Sequence, residues 1–338
     1  MYTVGVSREF LNQDGTFMWG DIGLGAIERE PRMQWKLVPS LGQGDDPAPF
    51  ADCDALLVLR QWITDPMLEA LPRLRHVSRW GAGLDRIDLD ACSRHGVLVT
   101  STPQGGKRPV AAAALTLVLA LTHRLVAKDR LVRENRWGER AQHMGIGLTG
   151  KVVGIIGLGQ IGREFARLLA PFDSRLVAYS PHAAPEDARD ANVALVGLDE
   201  LLQSADVVVV TCALSDATRG LLSAQKIGLM RPTAYLVNVA RGEIIDEAAL
   251  TDALAKERIA GAGLDVFHQE PLPADHPFIQ LDNVLLTPHA LAWTDEIISG
   301  NAVDAIGSLI QVMHDQRPRF MTNPDVIAHA RWSALKES

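Results

Sequence analysis

Lys151–Leu169 reads KVVGIIGLGQIGREFARLL. A short apolar run leads straight into Gly157, Gly159 and Gly162, spaced G-x-G-x-x-G, and an amphipathic stretch follows at once. The glycine spacing alone is weak, but between a strand and a helix it is the signature of a dinucleotide-binding turn. The first glycine permits the tight turn, the second lets a pyrophosphate approach the backbone, and the third lets the helix pack on the strand. The helix N-terminus then offers amide groups and a positive dipole end to the phosphates.

Outward from this turn, short apolar runs alternate with amphipathic stretches. After VVGII come RLVAY at Arg175, VVVVT at Val207, AYLVNV at Ala234, AGAGLDV at Ala260 and VLLT at Val284. Strands that are apolar throughout suit a parallel sheet covered on both faces, and the intervening helices make βαβ units. The first hundred residues hold a second series, TVGV, WKLV, ALLVL, RHVSR and GVLVT. From Pro109 to Trp137 there is one stretch with no internal proline or glycine, which predicts a single long helix linking the two series. A last helix is expected over roughly Asp295 to His314, with the tail returning to the N-terminal unit. The expectation is an α/β protein of two Rossmann-like, doubly wound parallel-sheet domains flanking a cleft. A discontinuous substrate (catalytic) domain takes residues 1–102 and 293–338, and the dinucleotide-binding Rossmann domain takes 103–292.

The bulk properties agree. At 338 residues the chain is long for one core. A net charge of −8 without a basic block argues against a nucleic-acid surface. Cys53, Cys92 and Cys212 are widely spaced and form no CxxC pair, which fits a reducing cytoplasm and no disulfide framework. No histidine pair has HxxxH spacing, so no metal is expected. The longest apolar run, Val110–Leu121, is too short to span a bilayer, and the N-terminus lacks a signal peptide's pattern.

Three segments carry chemistry. NVARGEIID puts Arg241 just past a strand, at the sheet edge where open α/β sheets bind ligands. GLDVFHQEP puts Asp265 at the end of the next strand, with Glu270 shortly after, and LLTPHALAW puts His289 past the last strand. Arginine can fork onto a substrate carboxylate and carbonyl. Histidine can deliver or accept a hydroxyl proton while hydride moves to or from a nicotinamide. A neighbouring glutamate favours the charged imidazole. Ser180 follows the second strand of the cofactor unit where an acid would hold the ribose. Its neighbours are Pro181 and His182, so both NAD(H) and NADP(H) are admitted.

With these motifs in view, the sequence resembles the D-isomer-specific 2-hydroxyacid dehydrogenases, which include glyoxylate/hydroxypyruvate reductases and D-3-phosphoglycerate dehydrogenases. The match runs from RHVSRWGAGLDRIDLDAC through the glycine turn and NVARGEIIDEAALTDALAKERIAGAGLDVFHQEPLP to NVLLTPHALAW. The resemblance implies that Arg241, Glu270 and His289 are catalytic and that Asp265 lies near the nicotinamide. It implies that backbone amides of Trp80, Gly81, Ala82 and Gly83 hold the substrate carboxylate. It implies cofactor contacts from Gln160, Ile161, Ser180, Cys212, Ala213, Val239, Ala240, Arg241 and His289, and a homodimer. The activity implied is interconversion of a small 2-keto acid and the D-2-hydroxy acid. A dinucleotide-sensing, corepressor-like binding protein on the same fold is the alternative.

The chain departs from the family pattern at Ser180, where aspartate is usual, at Ala213 for proline and at Ala112 for glutamate. Lys107 and Arg108 form an unusual basic pair in what reads as a loop. They are taken as a solvated helix start or a substrate-anion contact. Trp293 is expected either to pack or to line the pocket, and His268 and His276 read as loop residues.

Overall fold

A computed structural model describes residues 1–335; the last three residues of the expected 293–338 segment lie outside the described residues. The chain divides into two compact units, Met1–Gly106 together with the chain from Thr294 onward, and Lys107–Trp293.

In the first unit β1 (Tyr2–Ser7), β2 (Met33–Val38), β3 (Ala55–Val58), β4 (His76–Arg79) and β5 (Leu98–Thr100) form one parallel sheet in the order β2-β1-β3-β4-β5. Side chains alternate across a strand. Leu56 and Val58 of β3 therefore enter one apolar cluster with Val77 and Val99, while Ala55 and Leu57 enter the other with Val4, Val6 and Leu309. Helix Asp295–Met313 supplies Leu309, and the chain after it lies against β5: the Thr322 amide donates to Val99 O, and Val99 N to Asn323 Oδ1.

In the second unit β6 (Val152–Ile156), β7 (Arg175–Tyr179), β8 (Ala194–Leu195), β9 (Val207–Val210), β10 (Tyr235–Asn238), β11 (Gly261–Leu264) and β12 (Val284–Leu286) form a parallel sheet in the order β12-β11-β10-β9-β6-β7-β8. The four valines of β9 divide between two cores, Val207 and Val209 on one face, Val208 and Val210 on the other. The order reverses between β6 and β9, the switch point beside which such sheets bind ligands. The two-residue edge strand β8 is exposed and has no run long enough to be read from sequence.

The single long helix expected from Pro109 is two helices. Pro103–Thr122 and Leu125–Arg133 meet at a 58° bend, with Arg124 left-handed at φ 52°. The Thr122 carbonyl, which a continuing helix would give to a residue one turn on, instead accepts the Ile146 amide at 2.8 Å. A β-carbon on Gly145 would sit 2.2 Å from that carbonyl, so only glycine lets the crossing segment this close. The helix also begins earlier than expected, and Gln104-Gly105-Gly106-Lys107-Arg108 lies in its first turns rather than in a loop. Gly105 packs on the backbone of Gly300 and Asn301, and Thr102 Oγ1 donates to Asn301 Oδ1 at 2.8 Å. No single helix among the described residues is long and apolar enough to cross a membrane.

His76, in β4, is fully buried, with Nε2 on Thr100 Oγ1 at 2.9 Å and Nδ1 without a partner among the described residues. Burial, reinforced by the positive charge of Arg75, pushes its pKa from 6.5 down to about 3. The folded unit therefore holds His76 neutral. Its contribution to stability is complete above about pH 6.5 and falls as pH drops, because only the unfolded chain takes the proton until about pH 3. At up to about 1.4 kcal/mol per pH unit, wild type should lose roughly 2 kcal/mol from this group between pH 6.5 and 5. Denaturant unfolding at pH 7 and pH 5 should show a smaller pH loss in His76→Gln; equal losses in the two proteins would contradict this.

Candidate active site

Three loops at the C-terminal edge of the second sheet carry the candidate residues. β10 ends in Asn238, a buried amide at the end of an apolar strand. Its Oδ1 accepts the Ala240 amide at 3.0 Å and its Nδ2 donates to the Arg241 carbonyl at 2.8 Å. The turn through Val239, Ala240 and Arg241 is thereby held by one side chain. The Arg241 guanidinium donates to the Ala240 carbonyl at 2.7 Å, and its charge reaches Glu270.

The next strand, β11, ends beside Asp265, which is 5% exposed. Its Oδ1 accepts Thr287 Oγ1 at 2.7 Å, the Ala290 amide at 3.1 Å and the Leu291 amide at 3.2 Å. These three donors bracket His289, whose backbone is left-handed at φ 53°. A bulky residue occupies that region only when its surroundings over-determine it. Asp265 supplies that constraint, so here it is a brace for the histidine turn.

His289 Nδ1 lies 2.8 Å from Glu270 Oε2 and 3.1 Å from Oε1. Burial acts to raise the Glu270 pKa, but the His289 hydrogen bond and charge, the Phe267 amide and Arg241 outweigh it and hold the carboxyl below its ordinary value. Ionised, Glu270 only accepts, so Nδ1 carries the proton and Nε2 is left for proton exchange with a ligand. The Glu270–Pro271 peptide bond is cis.

The glycine turn sits at the β6/β9 reversal. Gly157 has φ +99°, and a β-carbon there would lie 2.5 Å from the Cys212 backbone. At Gly162 it would meet the Gly157 carbonyl at 2.2 Å, whereas at Gly159 it would meet nothing within 4 Å. The first and third glycines are thus demanded by packing, and the second faces open space at the N-terminus of helix Gln160–Leu169. A dinucleotide pyrophosphate fits that combination. Thr211 Oγ1 donates to the Gly157 carbonyl at 2.7 Å and ties the turn to the end of β9. Cys212 and Ala213 follow, and burial pushes the Cys212 thiol up to about 11. Gln160 opens the helix, Ile161 packs partly into the core, and Ser180 directly follows β7, its carbonyl accepting the Ala183 amide at 3.1 Å.

In the first unit the turn after β4 narrows the expectation for four substrate-binding amides. The Trp80 amide donates to the Val58 carbonyl at 2.8 Å, and the Gly81 amide donates to Thr102 Oγ1 at 2.6 Å. Only Ala82 and Gly83 keep amides without an acceptor among the described residues. The Trp80 side chain is buried, stacked on Trp19 and edge-on to Phe10. Gly81 is left-handed at φ +116°, with the Arg79 guanidinium beneath it and Arg79 Nε donating to Gly83 O at 2.9 Å.

The basic pair proves to be internal to the second unit. Arg108 donates to Glu164 at 2.7 Å, with Arg167 at 3.3 Å and Lys107 at 3.7 Å from the same carboxylate. Glu164 is 7% exposed, and its Arg108 bond, against burial, keeps its pKa low. These cations tie helix Pro103–Thr122 to helix Gln160–Leu169. His268 Nε2 bonds the Ile245 carbonyl at 2.8 Å, and His276 lies 3.3 Å from Glu247. Trp293 is 45% exposed. Asn238, Thr211, Thr287 and Thr102 were not anticipated; a polar residue ending an apolar strand was the signal for the first two. No group of three or more His, Cys, Asp or Glu side chains among the described residues is placed to hold a metal.

Residues 115–290 match the family model of the D-isomer specific 2-hydroxyacid dehydrogenase, NAD binding domain. A glyoxylate reductase of Korarchaeum cryptofilum is 36% identical over 284 residues, covering 82% of this chain and 84% of that protein. A D-3-phosphoglycerate dehydrogenase of Mycobacterium tuberculosis is 39% identical over 250 residues, covering 74% of this chain and 47% of that protein. Among solved structures, a protein of Pyrococcus horikoshii OT3 superposes with a TM-score of 0.83 at 25% identity, covering 99% of each chain. The chain therefore belongs to the D-isomer specific 2-hydroxyacid dehydrogenase family of NAD-dependent oxidoreductases.

Proposed function

We propose that this chain interconverts a small 2-keto acid and its D-2-hydroxy acid, with His289 as the acid/base and Arg241 as the substrate-binding cation. The observation that carries the reading is the His289 Nδ1–Glu270 pair at 2.8 Å, with Arg241 on the adjoining strand-end loop. NAD(P)H bound at the glycine turn supplies the hydride. Glu270 orients the imidazole and stabilises its charge, so that Nε2 protonates the developing alkoxide in reduction and takes the hydroxyl proton in oxidation. Arg241 neutralises the carboxylate and polarises the carbonyl. Glyoxylate is the first substrate to try, given the Korarchaeum relative's name.

His289→Gln should lower kcat by roughly 10²–10⁴, the usual worth of a positioned acid/base, while NADH titration shows binding retained. The assay follows nicotinamide absorbance with glyoxylate, hydroxypyruvate and pyruvate. Near-normal turnover of the folded variant would sink the His289 assignment. If wild type turns over none of these acids yet binds the dinucleotide, the dinucleotide-sensing alternative gains.

Cofactor choice follows from Ser180. A carboxylate there would accept charged hydrogen bonds from the ribose and repel a 2′-phosphate. Ser180 offers only neutral bonds and no repulsion, so we propose use of both NADH and NADPH. Ser180→Asp should shift the ratio of kcat/KM toward NADH by at least about tenfold, or about 1.4 kcal/mol. An unchanged ratio would remove Ser180 as the selectivity position.

The homodimer is also a proposal. In the Val110–Leu121 segment, Ala111, Ala114, Leu117, Val118 and Leu121 are buried in this unit's own core. Exposed apolar side chains lie further on: Leu125 (59%), Val132 (54%), Trp137 (55%) and Met144 (81%). Such surface on one segment suits a partner copy. Light scattering at micromolar concentration should give twice the single-chain mass; a single-chain mass would contradict the proposal.

A further inference from the structure

The loops bearing Arg241 and Glu270 are joined by contacts that neither of those side chains makes. Gly242, next to Arg241, touches the second loop backbone to backbone: a β-carbon there would lie 2.1 Å from Phe267 C and 2.4 Å from His268 N. A few residues on, Glu247 opens helix Glu247–Ala255. Its Oε2 accepts the His268 amide at 3.1 Å. Its Oε1 lies 3.3 Å from His276 Nε2, with the two side chains 21% and 16% exposed. The His276 Nδ1 accepts the Phe278 amide at 3.2 Å, which leaves the proton on Nε2, the nitrogen nearer Glu247. His268 adds a second tie, Nε2 to the Ile245 carbonyl at 2.8 Å.

Glu270 falls between the two histidines in the chain, and its Oε1 accepts the Phe267 amide at 3.2 Å. One carboxylate therefore grips the Glu270 segment on both sides, at residue 268 and at residue 276. A carboxylate in the first turn also complements the helix dipole, which a purely stabilising glutamate would do as well. That role needs no contact with His268 or His276, whereas Glu247 accepts the His268 amide with Oε2 and sets Oε1 3.3 Å from His276.

We propose that Glu247 is a positioning residue for the His289–Glu270 pair. It fixes the 267–276 segment against the Arg241 loop, so that Glu270 reaches His289 Nδ1 and Arg241 stays within electrostatic range of Glu270. Glu247 touches neither ligand nor the imidazole of His289; it acts through Glu270. The inference rests on the acid/base reading of His289 and Glu270 given above.

The test compares pH profiles of kcat for keto-acid reduction, which needs His289 protonated and fails on the alkaline side. In Glu247→Ala the Glu270 carboxylate is less well held, so the imidazole loses part of the stabilisation of its charge. The alkaline limb should move down, and kcat should fall ~10- to 100-fold, the scale of a small misplacement. The KM for NADH should stay within about twofold of wild type, since the glycine turn is on other loops. His276→Gln, which keeps a neutral N–H toward Glu247, should restore most of what His276→Ala loses. Glu270→Gln is the control and should move the limb in the same direction. If Glu270→Gln moves the limb and folded Glu247→Ala does not, the positioning role is overturned, even if thermal stability drops. If Glu270→Gln itself leaves the limb in place, the acid/base reading fails and takes this inference with it.

Discussion

The Asp265 carboxylate is the constraint on which the candidate site depends. It is buried at the end of β11 and receives three donors from the stretch after β12. Polar atoms buried this deeply are tolerable only when their hydrogen bonds are met. Meeting them draws Thr287, Ala290 and Leu291 around one oxygen and forces His289, which lies between them, into a left-handed backbone. That conformation aims the imidazole so that Nδ1 reaches Glu270. The brace, the strained histidine and the dyad are one structure.

The second unit applies the same device at two other strand ends. Asn238 closes the loop after β10 with its side-chain amide, and Thr211 closes the glycine turn from the end of β9. Each is a polar side chain ending an apolar strand and satisfying backbone groups that would otherwise have no ladder partner. The helix after the glycine turn is secured differently. Its buried Glu164 draws Arg108 and Lys107 from helix Pro103–Thr122 and Arg167 from its own next turn. Losing a partner of such a group leaves an uncompensated buried charge, the costly case for ion pairs. This gives the unusual basic pair a structural reason.

Much of this was legible in the residues, because it rests on short-range physics. Gly157, Gly159 and Gly162 announced a turn at the spacing a phosphate requires. The runs ending at Ile156, Val210, Val237 and Leu264 were apolar throughout, as strands covered on both faces must be. Since parallel strands all place their C-terminal ends on one edge, a residue just past a strand could be assigned to that edge without coordinates. Arg241, Asp265 and His289 were located by that rule, and Glu270 by its short distance beyond it.

The rest depended on partners far away in sequence, and only the tertiary structure decided it. The helix through Val110 stops at Thr122 because Ile146, on a separate segment, takes the Thr122 carbonyl; no propensity in the helix itself signals this. The first turns of that helix carry Gly105, where Gly300 and Asn301 approach so closely that a side chain could not fit. Of the four amides in Trp80-Gly81-Ala82-Gly83, two are consumed by Val58 and Thr102. The sequence by itself determined which residue types stand at the sheet edge, since strand length and turn chemistry are local. Which of their donors, acceptors and charges remain for a ligand was settled by packing, because a hydrogen-bonding group is spent or spared by whatever neighbour the fold brings to it.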